Sequence, residues 1–155
     1  MLENNNLNSV TNKKEVNNEC IEAIAYCRVD KNKYHSAIGV ECQKLKIKSY
    51  AKANNIKIVG WYVDAGYNGN NANRPALQEM LKDINQGKYK NVKFLLVSKI
   101  ERIARNIDML KEYYTLFTNN EINLKATNFE LDNNVEKNLL LTFFNIYENK
   151  KGAKL

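Results

Sequence analysis

The sequence lacks any apolar run long enough to cross a membrane, and its first residues are too polar to form a secretory signal. We therefore expect a cytoplasmic protein with no membrane partner. Residues 1–19 are Asn-rich and without periodicity, which predicts a disordered tail. Residues 20–150 are expected to form one domain, and residues 151–155 a short C-terminal tail.

Cysteine and histidine are also scarce. Cys20, Cys27 and Cys42 are odd in number and form no C-x-x-C pair, so neither a disulfide framework nor a zinc site is indicated. Cys27 lies in an apolar run and is expected to pack in the core. The single histidine, His35, is interpreted as a solvated loop residue. We expect no metal and no cofactor.

Arginine is rare in a chain that is otherwise rich in basic residues. The net charge is +7, and 24 residues are Lys or Arg, which suits a polyanionic partner such as DNA. The only arginines are Arg28, Arg74, Arg102 and Arg105. Arginine presents a planar fork of donors that matches phosphate or carboxylate, and lysine cannot reproduce it. These four positions are therefore the first candidates for function.

Apolar periodicity predicts strands that alternate with helices. The strands are expected at residues 23–29, 56–63, 92–97 and 122–127, and the helices at residues 39–54, 75–86, 105–119 and 133–149. Asn73 is a candidate N-cap for the second helix, and Asn133 with Glu136 resembles a capping box for the last. The alternation favours an α/β fold with a mainly parallel sheet and helices on both faces.

The arginines and several acidic residues follow the ends of predicted strands. Arg28 and Asp30 close the first strand, Asp64 follows the second, and residues 99–105 follow the third. Ligands of open α/β sheets gather at the carboxyl ends of the strands. Arg102 and Arg105 are three residues apart and would share one face of a helix. The pattern therefore predicts an anion site at this edge of the sheet.

Four blocks of sequence resemble one family, in order and at the family's spacing. They read YCRVD at residues 26–30, GVECQ at 39–43, YVDAGYNG at 62–69 followed by NRPAL at 73–77, and KIERIARN at 99–106. They are similar to Y-x-R-V-S, S-L-E-x-Q, Y-V-D-x-G-Y-S-G with D-R-P-x-L, and K-x-D-R-x-x-R-N of the resolvase/invertase family of serine site-specific recombinases. The resemblance implies a resolvase-like three-layer fold with a long C-terminal dimerisation helix.

The resemblance also implies a chemistry. In this family a serine attacks a DNA backbone phosphate, without metal or nucleotide cofactor, and arginines stabilise the charge of the transition state. By position, the phosphate contacts would be Arg28, Arg74, Lys99, Arg102 and Arg105, with Gln43 and Asp64 as polar support and Glu101 assisting proton transfer. The resemblance thus implies DNA as the partner.

Asp30 stands where the family motif has its serine. A carboxylate at ~4 Å from a phosphate would repel it by roughly 1–4 kcal/mol. If Asp30 attacked instead, it would form an acyl phosphate that water hydrolyses, so we expect no strand rejoining. A second interpretation is that, without DNA, Asp30 pairs with Arg28, Arg102 or Arg105 and closes the pocket.

The last predicted helix is apolar on most sides, which favours a homodimer or a higher homo-oligomer. Family members usually carry a further DNA-recognition domain; none follows this helix, so we expect weak DNA binding with little sequence preference. The leading hypothesis is a cleavage-deficient, accessory recombinase domain that regulates or competes with an active recombinase through mixed dimers or site occupancy. The alternatives are an active recombinase or nicking enzyme, and an interaction module that keeps only the fold.

Overall fold

The computed structural model describes residues 19–30, 36–128 and 133–152. Its strands are β1 (Ile21–Val29), β2 (Ile56–Ala65), β3 (Val92–Val97) and β4 (Asn123–Ala126). Its helices are α1 (Ser36–Ala53), α2 (Pro75–Asn85), α3 (Ile107–Asn119) and α4 (Asn133–Gly152), and a 3-10 turn spans Ile100–Arg102. The predicted tail at residues 1–18, the loop with His35 and residues 153–155 lie outside the described residues.

The four strands form one parallel sheet in the order β2-β1-β3-β4. Along β1, Ala23, Ala25 and Cys27 face α1, whereas Ile24 and Tyr26 face the core that α2 and α3 cover. The predicted α/β fold with helices on both faces is therefore confirmed, and Cys27 is a buried core residue. Its burial raises the pKa of the thiol to about 11.

The order of the strands places a topological switch point at the carboxyl edge of the sheet. The chain leaves β1 through α1 toward β2, and it leaves β3 through α3 toward β4. Because the two neighbouring strands send their connections to opposite sides, the ends of β1 and β3 are not covered by either helix. Residues that follow these two strands therefore meet at one place.

Some boundaries differ from the sequence prediction. Helix α1 begins at Ser36, three residues before the predicted start at Gly39, and β2 continues through Asp64 instead of ending before it. Asn73 does not cap α2: the N-cap is Arg74, whose side chain makes no capping hydrogen bond. The cap comes from another part of the chain, as described below.

Helix α4 packs on α3. The ring of Phe144 lies 5.6 Å from that of Tyr114, centroid to centroid, and Lys111 pairs with Glu148. Leu141, Phe143 and Ile146 remain exposed on α4. The side chains of the predicted capping box lie outside the described residues. Within the part of the chain that the structure describes, no helix has the length and apolarity needed to cross a lipid bilayer.

Candidate anion-binding site

Arg28 lies at the carboxyl end of β1 and is fully buried. Its Nε donates to the carbonyl oxygen of Arg102 (3.1 Å), its Nη2 to that of Glu101 (3.0 Å) and its Nη1 to that of Tyr67 (2.9 Å). Nη1 also donates to the carboxylate of Asp30. Burial lowers the pKa of Arg28, and the hydrogen bond to Asp30 opposes that effect. The guanidinium thus joins three segments of the chain.

Asp30 bridges two arginines with its two carboxylate oxygens. Oδ1 accepts from Arg28, and Oδ2 accepts from Nη2 of Arg105 at 2.6 Å. Partial burial raises the pKa of the Asp30 carboxyl, but the hydrogen bonds from Arg105 and Arg28 outweigh it and leave the pKa below its ordinary value. Two of the three pairings that the sequence suggested for this carboxylate are present in the structure.

Gln43 and Arg102 hold the peptide groups of Arg28. The amide of Gln43 accepts from the Arg28 backbone N–H (3.1 Å) and donates to the Arg28 carbonyl oxygen (2.9 Å). Nη1 of Arg102 donates to the same carbonyl at 3.2 Å. Nε of Arg102 is buried without a partner among the described residues. Gln43 therefore fixes the end of β1, and Arg102 keeps unused donor capacity at its side.

Arg74 lies beneath the site instead of lining it. It is fully buried, and Nη1 donates to the Tyr26 hydroxyl (3.2 Å) and the Arg102 carbonyl (3.0 Å), while Nη2 donates to the Ile103 carbonyl. The sequence analysis placed Arg74 among the phosphate contacts. Protein acceptors take up Nη1 and Nη2, and only the buried Nε lacks a partner among the described residues, so the contacts of Arg74 support the loop at residues 99–105.

Asp64 supports the site from β2 and supplies the missing cap of α2. Oδ1 accepts from the backbone N–H of Ala76 (2.9 Å), and Oδ2 accepts from that of Leu77 (3.0 Å) and from the Tyr26 hydroxyl (2.7 Å). A carboxylate at a helix N-terminus satisfies N–H groups that have no partner within the helix. Burial, and next the hydrogen bond to Asp64, raise the pKa of Tyr26 far above its ordinary value.

The remaining predicted residues lie at the surface. Arg105 is exposed, and its backbone N–H donates to the Gly69 carbonyl at 3.3 Å. It lies between the 3-10 turn and α3, so it does not share a helix face with Arg102, contrary to the sequence prediction. Lys99 and Glu101 are exposed, and they reach arginines through their backbone carbonyls: that of Glu101 accepts from Nη2 of Arg28, and that of Lys99 accepts from the backbone N–H of Arg102.

Sequence reasoning gave no role to three residues that shape the site. Tyr26 links Asp64 to Arg74, the Tyr67 carbonyl accepts from Arg28, and Gly69 lies buried beside two arginines. All three stand at specified letters of the quoted motifs, which was the available signal. Their roles depend on contacts between distant segments, which the spacing of one motif does not reveal.

The chain resembles known proteins in sequence and in fold. The profile of the family described as "Resolvase, N terminal domain" matches residues 23–154. The chain belongs to this family. The match spans all four blocks quoted above and every residue of the anion-binding site. No curated protein matches the chain significantly.

Solved structures of resolvase-like catalytic domains share the fold. The N-terminal catalytic domain of TP901-1 integrase is 27% identical, with a TM-score of 0.72 over 86% of this chain and 99% of that one. A resolvase-family site-specific recombinase from Streptococcus pneumoniae is 28% identical, with a TM-score of 0.71 over 86% and 89%. The C-terminal catalytic domain of ISC1926 TnpA, an IS607-like serine recombinase, is 23% identical, with a TM-score of 0.61 over 76% and 77%.

Proposed function

We propose that this resolvase-family domain contacts a DNA backbone phosphate through its arginine site, does not cleave DNA, and serves an accessory or regulatory role in site-specific recombination. One observation carries the proposal. The carboxylate of Asp30, at the motif position of the family's serine, spans Arg28 and Arg105 at the edge of the sheet.

The carboxylate of Asp30 occupies a site whose guanidinium donors suit an oxyanion. A phosphodiester, like a carboxylate, offers two charged oxygens on one atom, and guanidinium groups bind such pairs well. Arg105 is partly exposed and so can meet a ligand from solvent, whereas Arg28 and Arg74 are buried and hold the pocket in shape. The proposed phosphate contacts are therefore Arg105 and Arg102, with Arg28 behind them.

The same carboxylate argues against strand cleavage. Attack by Asp30 on phosphorus would expel a DNA hydroxyl and create an acyl phosphate, and water would hydrolyse that mixed anhydride before the strands could rejoin. Among the described residues, no hydroxyl group is hydrogen-bonded to Arg28 or Arg105. A domain with this site binds phosphate only when Asp30 gives up its arginine partners.

Helix α4 supports the accessory role. Leu141, Phe143 and Ile146 leave apolar side chains exposed on a helix whose Phe144 is buried against α3. Such a surface fits a second resolvase-family domain. We propose a homodimer, and a mixed dimer with an active recombinase, as the assembled forms. In a mixed dimer this chain would occupy DNA and supply no nucleophile.

A cleavage assay tests the proposal. The protein and its Asp30→Ser variant are incubated with supercoiled DNA that carries candidate sites, and covalent protein–DNA adducts, nicks and recombinants are measured beside binding. We expect the parent to bind DNA at low salt and to give no adduct. Adducts or nicks from the parent would establish an active enzyme. Failure of both proteins to bind DNA at low salt would favour an interaction module.

A further inference from the structure

Gly69 packs directly against the two arginines that hold Asp30. A methyl group at this position would lie 2.8 Å from Nη2 of Arg28, 3.1 Å from Cζ of Arg28 and 3.0 Å from Cγ of Arg105. Its φ lies outside the left-handed region that favours glycine. The requirement for glycine here is therefore one of space, and not of backbone conformation.

The segment that carries Gly69 is tied to the same arginines. The Tyr67 carbonyl accepts from Nη1 of Arg28 at 2.9 Å, and the Gly69 carbonyl accepts from the backbone N–H of Arg105 at 3.3 Å. A methyl group at position 69 requires a movement of this loop, of the arginine side chains, or of both. Because the bonds above join the two, either movement displaces the guanidinium groups relative to the loop.

We infer that Gly69 is the positioning residue of the anion site, which sets the separation between the guanidinium groups of Arg28 and Arg105 so that each meets one oxygen of a single ligand group. This inference rests on the proposed function and deepens it. The geometry selects anions that carry two charged oxygens on one atom, such as a phosphodiester or a carboxylate, over a single-point anion such as chloride.

Asp30 provides a readout of this spacing that does not depend on DNA. Its carboxyl pKa is held below the ordinary value by hydrogen bonds from Arg105 and Arg28, against the effect of burial. A side chain that pushes these arginines apart weakens those bonds, so the pKa of Asp30 rises. A substitution that only destabilises the fold leaves the pKa of the remaining folded protein unchanged.

The test compares Gly69→Ala with Asn70→Ala by carboxyl ¹³C NMR titration of Asp30 and by DNA binding. Asn70 is exposed in the same turn, and its backbone N–H, not its side chain, contacts Asn68. We expect Gly69→Ala to raise the pKa of Asp30 and to lower DNA affinity about tenfold, the effect of one weakened charge-assisted hydrogen bond. Asn70→Ala should change neither. An unchanged Asp30 pKa in Gly69→Ala would overturn the inference.

The two proposals fail in different ways. If the pKa rises but the parent does not bind DNA, the positioning role stands and the proposed function does not. If Gly69→Ala does not fold, Arg105→Ala is compared with Arg105→Ala/Gly69→Ala, because loss of Cγ relieves the contact with Arg105 and leaves the two with Arg28. The added alanine should still raise the pKa of Asp30 through Arg28. Equal values in these two proteins would refute the assignment.

Discussion

Arg28 and Arg74 share one acceptor: Nε of Arg28 lies 3.1 Å and Nη1 of Arg74 lies 3.0 Å from the carbonyl oxygen of Arg102. Both side chains are fully buried, and each also donates to a neighbouring carbonyl of the same loop. Two of the chain's four arginines thus shape the loop at residues 99–105. We therefore propose that the other two, Arg102 and Arg105, contact a ligand from solvent.

This division predicts that Arg105→Ala weakens DNA binding with only a small loss of stability, because Asp30 keeps its pairing with Arg28. Arg105 is exposed, so its removal leaves no buried group unpaired. We expect DNA affinity to fall about tenfold and the slope of log K against log salt to decrease by about 1. Lys93→Ala removes the same charge at the opposite end of β3 and is the control. Equal effects of the two substitutions would contradict the assignment.

Arg74→Met should do the reverse, with its main effect on stability. The substitution keeps an unbranched apolar stem but removes the guanidinium, which leaves the carbonyl of Ile103 and the hydroxyl of Tyr26 without their donor. We expect the free energy of unfolding in urea to fall by about 2–4 kcal/mol. Lys82→Met also replaces a cationic side chain by methionine, at an exposed position of α2, and should have little effect on the free energy of unfolding. An unfolding midpoint unchanged from the parent would argue against this role of Arg74.

Asp30→Asn should increase DNA affinity. The substitution removes a negative charge that competes with phosphate for Arg28 and Arg105, and a like charge at ~4 Å costs roughly 1–4 kcal/mol. We therefore expect binding to strengthen about tenfold or more in a fluorescence anisotropy titration. Glu112→Gln removes an equal charge from the exposed side of α3 and controls for net charge. If both variants gain equally, Asp30 does not compete for the site.

The sequence predicted the α/β fold and singled out the four arginines, but it did not predict that two of them are buried. The apolar composition of residues 23–29 was sufficient to place a buried strand, and the rarity of arginine pointed to the candidate site residues. Burial of Arg74 was not predictable, because its acceptors are backbone carbonyls that any sequence provides. Its depth depends on how the loop after β3 folds over α2.

The cap of α2 was also not predictable from the neighbouring sequence. Asn73 has the side chain of a good N-cap, yet Asp64 of β2 takes that role for α2. Local sequence patterns show only which residues next to a helix could cap it. They do not show that the sheet brings the carboxylate of Asp64 to the start of α2. At the start of α3 the cap is local: the side chain of Asn106 accepts hydrogen bonds from the backbone N–H groups of Asp108 and Met109.

The stability that Asp30 contributes should depend on pH at the acidic end. The pKa of Asp30 is lower in the folded protein than in the unfolded chain, where an aspartate has a pKa of about 3.9. Its contribution is therefore complete above the unfolded value and is lost as the pH falls through the folded value. We expect the Tm difference between wild type and Asp30→Asn to stay constant near neutral pH and to shrink below about pH 4. A constant difference into strong acid would show that the carboxylate is not paired.

The exposed face of α4 should support self-association. A Phe143→Glu/Ile146→Glu double variant places charges where apolar side chains are half exposed, and we expect the dissociation constant of the dimer to rise at least about tenfold in sedimentation velocity. Leu45→Glu makes a similar change on α1, where Leu45 is 65% exposed, and should leave the dimer intact. A monomeric parent protein would remove the basis for the proposed mixed dimer.

Arg28 and Arg74 bind the loop through the main-chain oxygens of residues 101–103 and not through its side chains. Every amino acid offers the same carbonyl, so this anchorage is indifferent to which side chains residues 99 and 101 carry. Lys99 and Glu101 face solvent, so a change of either side chain leaves these bonds in place. We therefore expect substitutions at the outer rim of the pocket to preserve its buried frame.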